Sequence, residues 1–95
     1  MFTRISQFSF KPDQLDEMVS RLDGIGEKLE SIDGMLETSV FWDTEGSGVS
    51  VATYRDQAAA DAATETIQSI WGGLMDLLTG PPTMTVYPQG WRVGR

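Results

Sequence analysis

The sequence predicts one α+β domain with its elements in the order β-α-β-β-α-β, and three observations carry that reading. Ile67, Ile70, Trp71, Leu74, Leu77 and Leu78 recur at helical spacing, Gly80-Pro81-Pro82 then ends the helix, and residues 83–87 alternate with period two. Leu15, Met18, Val19, Leu22, Ile25, Leu29 and Ile32 keep a 3.6-residue rhythm earlier in the chain. Between these helices, Thr44-Glu45-Gly46-Ser47-Gly48 joins two strand-like runs with residues that tolerate hairpin geometry.

In chain order, residues 2–10 read as the first strand. Phe2, Arg4, Ser6, Phe8 and Phe10 share one side and Thr3, Ile5, Gln7 and Ser9 the other, so the mixed alternation leaves the buried side open. Lys11-Pro12-Asp13 opens the first helix, with Asp13, Asp16 and Glu17 near its positive end, and the helix runs to about Ser31. Asp16, Ser20, Asp23, Glu27 and Glu30 form its opposite stripe, which reads as a solvated face rather than a carboxylate cluster. Gly24 and Gly26 mark a bend or a close approach to the sheet. Asp33-Gly34 is a turn, 35–43 the second strand and 49–54 the third. Val49 and Val51 face one way; Ser50, Ala52 and Tyr54 face the other. Asp56 caps a second helix over about 57–78, alanine-rich at its start, with a kink or a one-turn restart expected at Gly72-Gly73. Residues 88–95 form a tail, and the whole chain, 1–95, is one domain.

This order is the ferredoxin-like split βαβ arrangement, with both helices on one face of a four-stranded antiparallel sheet. The other face would carry Ser50, Ala52, Tyr54, Thr83, Thr85 and Tyr87, a surface too apolar to stay wet. Two copies packed sheet to sheet would cover it, a common remedy for the modest core of a 95-residue chain.

Composition narrows the chemistry. A net charge of −7 argues against nucleic acid and against an anionic membrane surface. With no cysteine and no histidine, the chain lacks a thiolate nucleophile, the commonest metal ligands and the commonest general base. Asparagine is also absent. No window is apolar enough to span a membrane and no cleavable signal core stands at the start, so a cytoplasmic location is expected. The Thr44–Gly48 loop lacks a phosphate-binding lysine and opens no helix, and carboxylates from the first helix alone make an unconvincing metal site. No metal and no cofactor are expected.

Three stretches carry a resemblance to a known family: Phe10-Lys11-Pro12 closing the first strand, Asp33-Gly34-Met35-Leu36 entering the second, and Leu77-Leu78-Thr79-Gly80-Pro81-Pro82-Thr83-Met84-Thr85-Val86-Tyr87 at the end. In these the chain resembles the antibiotic biosynthesis monooxygenase-like superfamily of dimeric α/β barrels. The resemblance implies a homodimer with a cavity in each protomer between sheet and helices. Members include cofactor-free oxygenases of aromatic polyketides, haem-degrading oxygenases and signal-molecule isomerases. The family's aromatic at the end of strand three falls on Tyr54. The helix-two histidine, an iron ligand in the haem-degrading branch, falls on Ala63 or Thr64, so that branch is not expected here.

Cofactor-free oxygenation needs a site that holds a phenol or enol, ionises it and stabilises the anion. Arg4 could stabilise an oxyanion, and Tyr54 and Tyr87 could donate hydrogen bonds. Arg4 and Tyr54 are therefore the candidate catalytic residues, and Trp42, Ser50, Tyr54, Tyr87 and Trp91 the candidate pocket for a small hydrophobic or aromatic ligand. Structural alternatives stand beside each. Tyr54 could close a core or an interface, Trp42 pack between strands, Trp91 latch onto a partner subunit, and Arg4 pair with a carboxylate; Trp71 reads as core. The resulting expectation is a small oxygenase or isomerase, with a non-catalytic dimeric binding or structural module as the alternative.

Overall fold

The structure, a computed structural model, describes residues 1–94. The chain forms β1 (Phe2–Ser9), a 3-10 turn (Pro12–Gln14), α1 (Leu15–Glu30), β2 (Met35–Trp42), β3 (Ser47–Tyr54), α2 (Gln57–Gly72) and β4 (Thr83–Tyr87). The sheet order is β2-β3-β1-β4 with every neighbouring pair antiparallel, the ferredoxin-like arrangement.

Residues paired across strands share a face. Phe2 lies opposite Tyr54, Arg4 opposite Ala52, Ser6 opposite Ser50 and Phe8 opposite Gly48. This row is the helix-covered one: Phe2, Ser6, Phe8, Ala52 and Tyr54 are buried. The expectation that Ser50, Ala52 and Tyr54 occupy the open face is thus corrected. Two phenylalanines on the same row as Tyr54 outweigh the lone Ile5 on the other, and Ala59, Ala60 and Ala63 let α2 lie close over the tyrosine ring. The open face instead carries Thr3, Ile5 and Gln7 of β1, Val49, Val51 and Thr53 of β3, Phe41 of β2, and Thr83, Thr85 and Tyr87 of β4. Thr83, Thr85 and Tyr87 lie there as the alternation implied.

Element boundaries shift for local reasons. Proline fixes φ without needing a helical N–H, and the first helix begins with a 3-10 turn at Pro12 before settling into α1. β3 starts at Ser47, two residues early, because the Asp43 side chain gathers the backbone N–H groups of Glu45, Gly46 and Ser47 at 2.9, 3.0 and 3.0 Å. Those amides, Ser47 first, hold the Asp43 carboxyl below its ordinary value. Gly46 takes φ +110° and its carbonyl accepts from Phe10 N–H at 2.8 Å, so this hairpin is tied back to β1. Gly48 lies under the Phe8 ring, where any Cβ would sit 2.3 Å from the ring. Gly24 and Gly26 show no close approach: nothing lies within 4 Å of a Cβ built at either.

α2 is capped as expected, with the Asp56 carboxylate accepting from Ala59 N–H at 2.8 Å. It stops at Gly72 rather than continuing to 78. Leu74, Leu77 and Leu78 donate to the carbonyls of Trp71, Leu74 and Met75, three residues back in each case, which is turn geometry and not α-helix. Leu78 then bridges Phe10, and Lys11 N–H donates to Leu77 at 2.9 Å, so the sheet captures the chain. Arg21 of α1 clamps the same turn. Its guanidinium grips both Asp76 carboxylate oxygens at 2.8 and 3.0 Å and donates to the Gly73 carbonyl at 2.9 Å and to Glu17 at 3.0 Å. Asp76 first and Glu17 second raise the arginine pKa, and Arg21 lowers that of Asp76.

The core comes in two parts. One joins Phe2, Ala52 and Tyr54 to Ala59, Ala60 and Ala63. The other joins Phe8, Phe10 and Met18 to Leu74, Leu77 and Leu78. On β1 they are separated by the inward-facing Arg4 and Ser6, the polar middle of an otherwise aromatic row.

Candidate functional site

That polar middle is where the structure leaves space. A cavity of about 70 Å³ lies between the sheet and both helices. Arg4, Ser6, Thr38, Ser50 and Tyr54 provide its polar side. Ile25 and Leu29 of α1, Ile67, Ile70 and Trp71 of α2, and Leu74 of the turn provide much of the apolar wall. The helical stripes that read as core in the sequence are therefore also the cavity wall. Trp71 stacks obliquely on Phe8, with ring centroids 5.6 Å apart, and both line the cavity.

Tyr54 is fully buried, at 0% exposure. Its hydroxyl has no hydrogen-bond partner among the described residues, an unusual state for a buried phenol. Burial pushes the phenol pKa up, and Arg4, first by its charge and then by its guanidinium N–H groups close to the phenol oxygen, only partly offsets this. Tyr54 is consequently protonated at neutral pH and can only donate to a neighbouring oxyanion.

Arg4 reaches from β1 to α2. Its Nη2 donates to the Ala60 carbonyl at 2.9 Å and to Thr64 Oγ1 at 3.0 Å. The guanidinium carbon lies 5.5 Å from the centre of the Tyr54 ring, within cation–π range. The side chain is 11% exposed, and the nearest carboxylate, Asp61, stands 4.0 Å away with 65% of its own side chain in solvent. The alternative in which Arg4 pairs with a carboxylate across the sheet is thus not what is seen: the nearest carboxylate, on α2, is peripheral, and α2 backbone and Thr64 hold the charge at the cavity edge.

Of the sequence-derived candidates, the fold brings Arg4, Ser50 and Tyr54 together at this cavity and leaves three outside it. Tyr87 lies on the open face of the sheet, paired with Thr3, because its position on β4 has the opposite parity to Arg4 and its partner Val86. Trp91 stands in the tail and is 86% exposed. Trp42 ends the edge strand opposite Gly48 and borders a wide surface groove with Phe41, Val49 and Thr83. Sequence reasoning missed Thr64 as the partner of Arg4. The only available signal was that position 64 is one of the two that match the family's helix-two histidine.

Among the described residues no histidine, cysteine or carboxylate cluster could hold a metal ion. Nor is any helix of the described chain long and apolar enough to cross a membrane.

Sheet topology and cavity together define a ferredoxin-like α+β protein with an internal pocket between its two layers. Within that class the chain belongs to the antibiotic biosynthesis monooxygenase family, whose profile matches residues 1–68. Solved structures agree on the fold. A monooxygenase of Streptomyces coelicolor, crystallised with nanaomycin D, superposes with TM-score 0.75 at 20% identity, over 99% of this chain and 91% of that one. A structure described as an antibiotic biosynthesis monooxygenase gives 0.77 at 22%, over 95% of this chain and 99% of that one. A conserved protein of Methanosarcina mazei gives 0.80 at 13%, over 94% and 92%. At these identities the likeness is one of fold. Comparison with curated proteins finds no significant match.

Proposed function

We propose that this protein is a cofactor-independent oxygenase or isomerase that holds a hydrophobic or aromatic metabolite in the cavity between sheet and helices. The observation that carries the reading is the buried Tyr54, whose hydroxyl finds no hydrogen-bond partner among the described residues, in the wall of a cavity that Arg4 also lines. Leaving such a group unpaired costs on the order of 1–3 kcal/mol, a cost that a ligand oxygen would remove. Two donors at the edge of an apolar cavity stabilise negative charge on a bound enolate or phenolate far better than water does. In the oxygenase version, the anion adds O₂ at a ring carbon that bears hydrogen. Protonation gives a hydroperoxide, and loss of water leaves a quinone, so one phenol and one O₂ become one quinone and one water. Arg4 and Tyr54 are the residues proposed to carry this chemistry, with Ser50 in the pocket wall.

The working unit is proposed to be a homodimer. Ile5, Phe41, Val49, Val51 and Tyr87 lie on the open face, and a second copy packed against it would take them out of water. Val51→Lys, at the middle of that face, is expected to give monomers in light scattering; a dimer that survives the charge uses another surface.

The decisive experiment follows oxygen consumption with a panel of phenols and enols. Turnover that is lost in Tyr54→Phe while ligand binding persists supports the reading, and no turnover with any ionisable phenol or enol refutes the oxygenase version. The second reading, a binding module without catalysis, is favoured by one feature: the cavity wall contains no carboxylate or other neutral-pH base among the described residues.

A further inference from the structure

The cavity as it stands is smaller than the ligand proposed for it. It measures about 70 Å³. An engineered dry cavity of about 150 Å³ accommodates a single benzene ring. A ligand with even one ring therefore enters only when part of the wall moves. Resting on the reading of this cavity as the binding site, we infer that the moving part is the second half of α1, residues 24–30. It hinges at Gly24 and Gly26 and carries Ile25 and Leu29 out of the wall.

The wall is thinnest at this segment. Ile25, together with Ile70 and Leu74, lines both the cavity and the outer groove between α1 and α2. Leu29, together with Thr38, lines both the cavity and the outer groove between α1 and β2. A single layer of side chains thus separates the inside from each groove, and displacing these two joins all three spaces.

Attachment is also weakest here. The one fully buried residue of α1 is Met18, in the first half. Arg21 ties that half to Gly73 and Asp76. Ile25 and Leu29 are only half-buried. Among the described residues, no side chain from Leu22 to Glu30 makes a hydrogen bond or ion pair with another element. Beyond the helix the chain is fastened again: Ile32 packs against the Tyr54 cluster, and Arg55 N–H donates to the Gly34 carbonyl at 2.8 Å.

The glycines complete the argument. Glycine weakens a helix interior relative to alanine. Neither Gly24 nor Gly26 has a steric reason to be there, since nothing lies within 4 Å of a Cβ built at either and neither takes a positive φ. The pair flanks Ile25 and gives α1 a place to bend at the cavity wall. Lids are drawn from such low-stability segments, and their hinges are often small residues.

Amide hydrogen exchange of the unliganded wild-type protein, read residue by residue by NMR, tests this without a ligand. Ile25 to Glu30 are expected to open as one unit, with protection roughly tenfold or more below that of Leu22 and Asp23. Their exchange should rise little with urea below the unfolding transition, because the opening exposes little surface. The Arg55 N–H should stay protected. The double variant Gly24→Ala, Gly26→Ala favours the folded helix and should slow exchange of Ile25 to Glu30 by roughly tenfold or more. Equal protection along α1, a steady gradient from Glu30 back to Leu22 as in end fraying, or an unchanged rate in the double variant would each overturn the inference. Titration with 1-naphthol under air separates it from the reading beneath it. Binding and oxygen uptake by a protein whose α1 opens only on global unfolding keep the site and remove the hinge. Local opening of α1 with no binding of 1-naphthol supports the hinge and removes the site.

Discussion

Tyr54→Phe should make the unliganded protein more stable. The wild-type hydroxyl is buried with no partner among the described residues, while the ring it sits on packs against Phe2, Ala59, Ala60 and Ala63. The substitution keeps the ring and deletes one unsatisfied polar atom. Relief of an unpaired buried hydroxyl is worth about 1–3 kcal/mol, and a cavity water bonded to it would put the gain at the lower end. For a domain of this size each kcal/mol moves the melting temperature by roughly 4–8 °C. Urea titration and thermal circular dichroism of both proteins, at one protein concentration so that association does not contribute, measure the difference. A loss of about 1 kcal/mol or more in Tyr54→Phe would refute the reasoning, since it would mean that the hydroxyl makes a bond the structure does not contain. A gain in stability paired with weaker ligand binding would identify the hydroxyl as a group kept for function at the expense of the fold.

Three further outcomes follow from the packing. Gly48→Ala puts a methyl group 2.3 Å from the Phe8 ring and should cost about 1–3 kcal/mol in urea titration, because the ring is held between Phe10 and Trp71 and must move. Gly24→Ala meets nothing within 4 Å and should stabilise α1 by up to about 1 kcal/mol, read as a higher denaturation midpoint. In acid, the Asp43 and Asp76 carboxyls have folded pKa values below the ordinary 3.8, so their contributions are fully present above that value and disappear as pH falls through the lower folded values. Asp43→Asn and Asp76→Asn should each flatten the acid limb of the stability curve while leaving its alkaline limb unchanged.

The order of elements was legible because each signal was local. Periodicity marked both helices, Asp56 marked a cap, and the Gly-Pro-Pro stop marked the approach to β4. The end of α2 was less so: Leu74, Leu77 and Leu78 keep helical phase in sequence, but the Gly72-Gly73 pair and capture by Phe10 turn them into a set of tight turns that still bury the same side chains. Strand alternation correctly separated Ser50, Ala52 and Tyr54 from Val49 and Val51, yet could not say which set faced the helices, since that depends on what lies opposite on β1 and above on α2. The same gap explains the candidate site. Arg4 and Tyr54 were legible as the polar residues of strand positions, whereas Tyr87 required the cross-strand register to be located, and Trp91 stands in the tail beyond the last strand. The Thr64 contact depends on the angle at which α2 crosses β1, and no spacing in the sequence encodes it.

The division of the core into two clusters by Arg4 and Ser6 also creates a seam. Apolar contact usually runs unbroken through a domain and makes its opening all-or-none. Here the Phe2–Tyr54 end and the Phe8–Leu78 end meet across a void, so each can exchange its amide hydrogens through its own partial opening, with distinct protection levels for the two ends of the same strands. An occupant of the void touches both clusters at once. Filling it would fuse two local openings into one, and the protein would pass from loosely coupled halves to a single cooperative unit at the moment it is loaded.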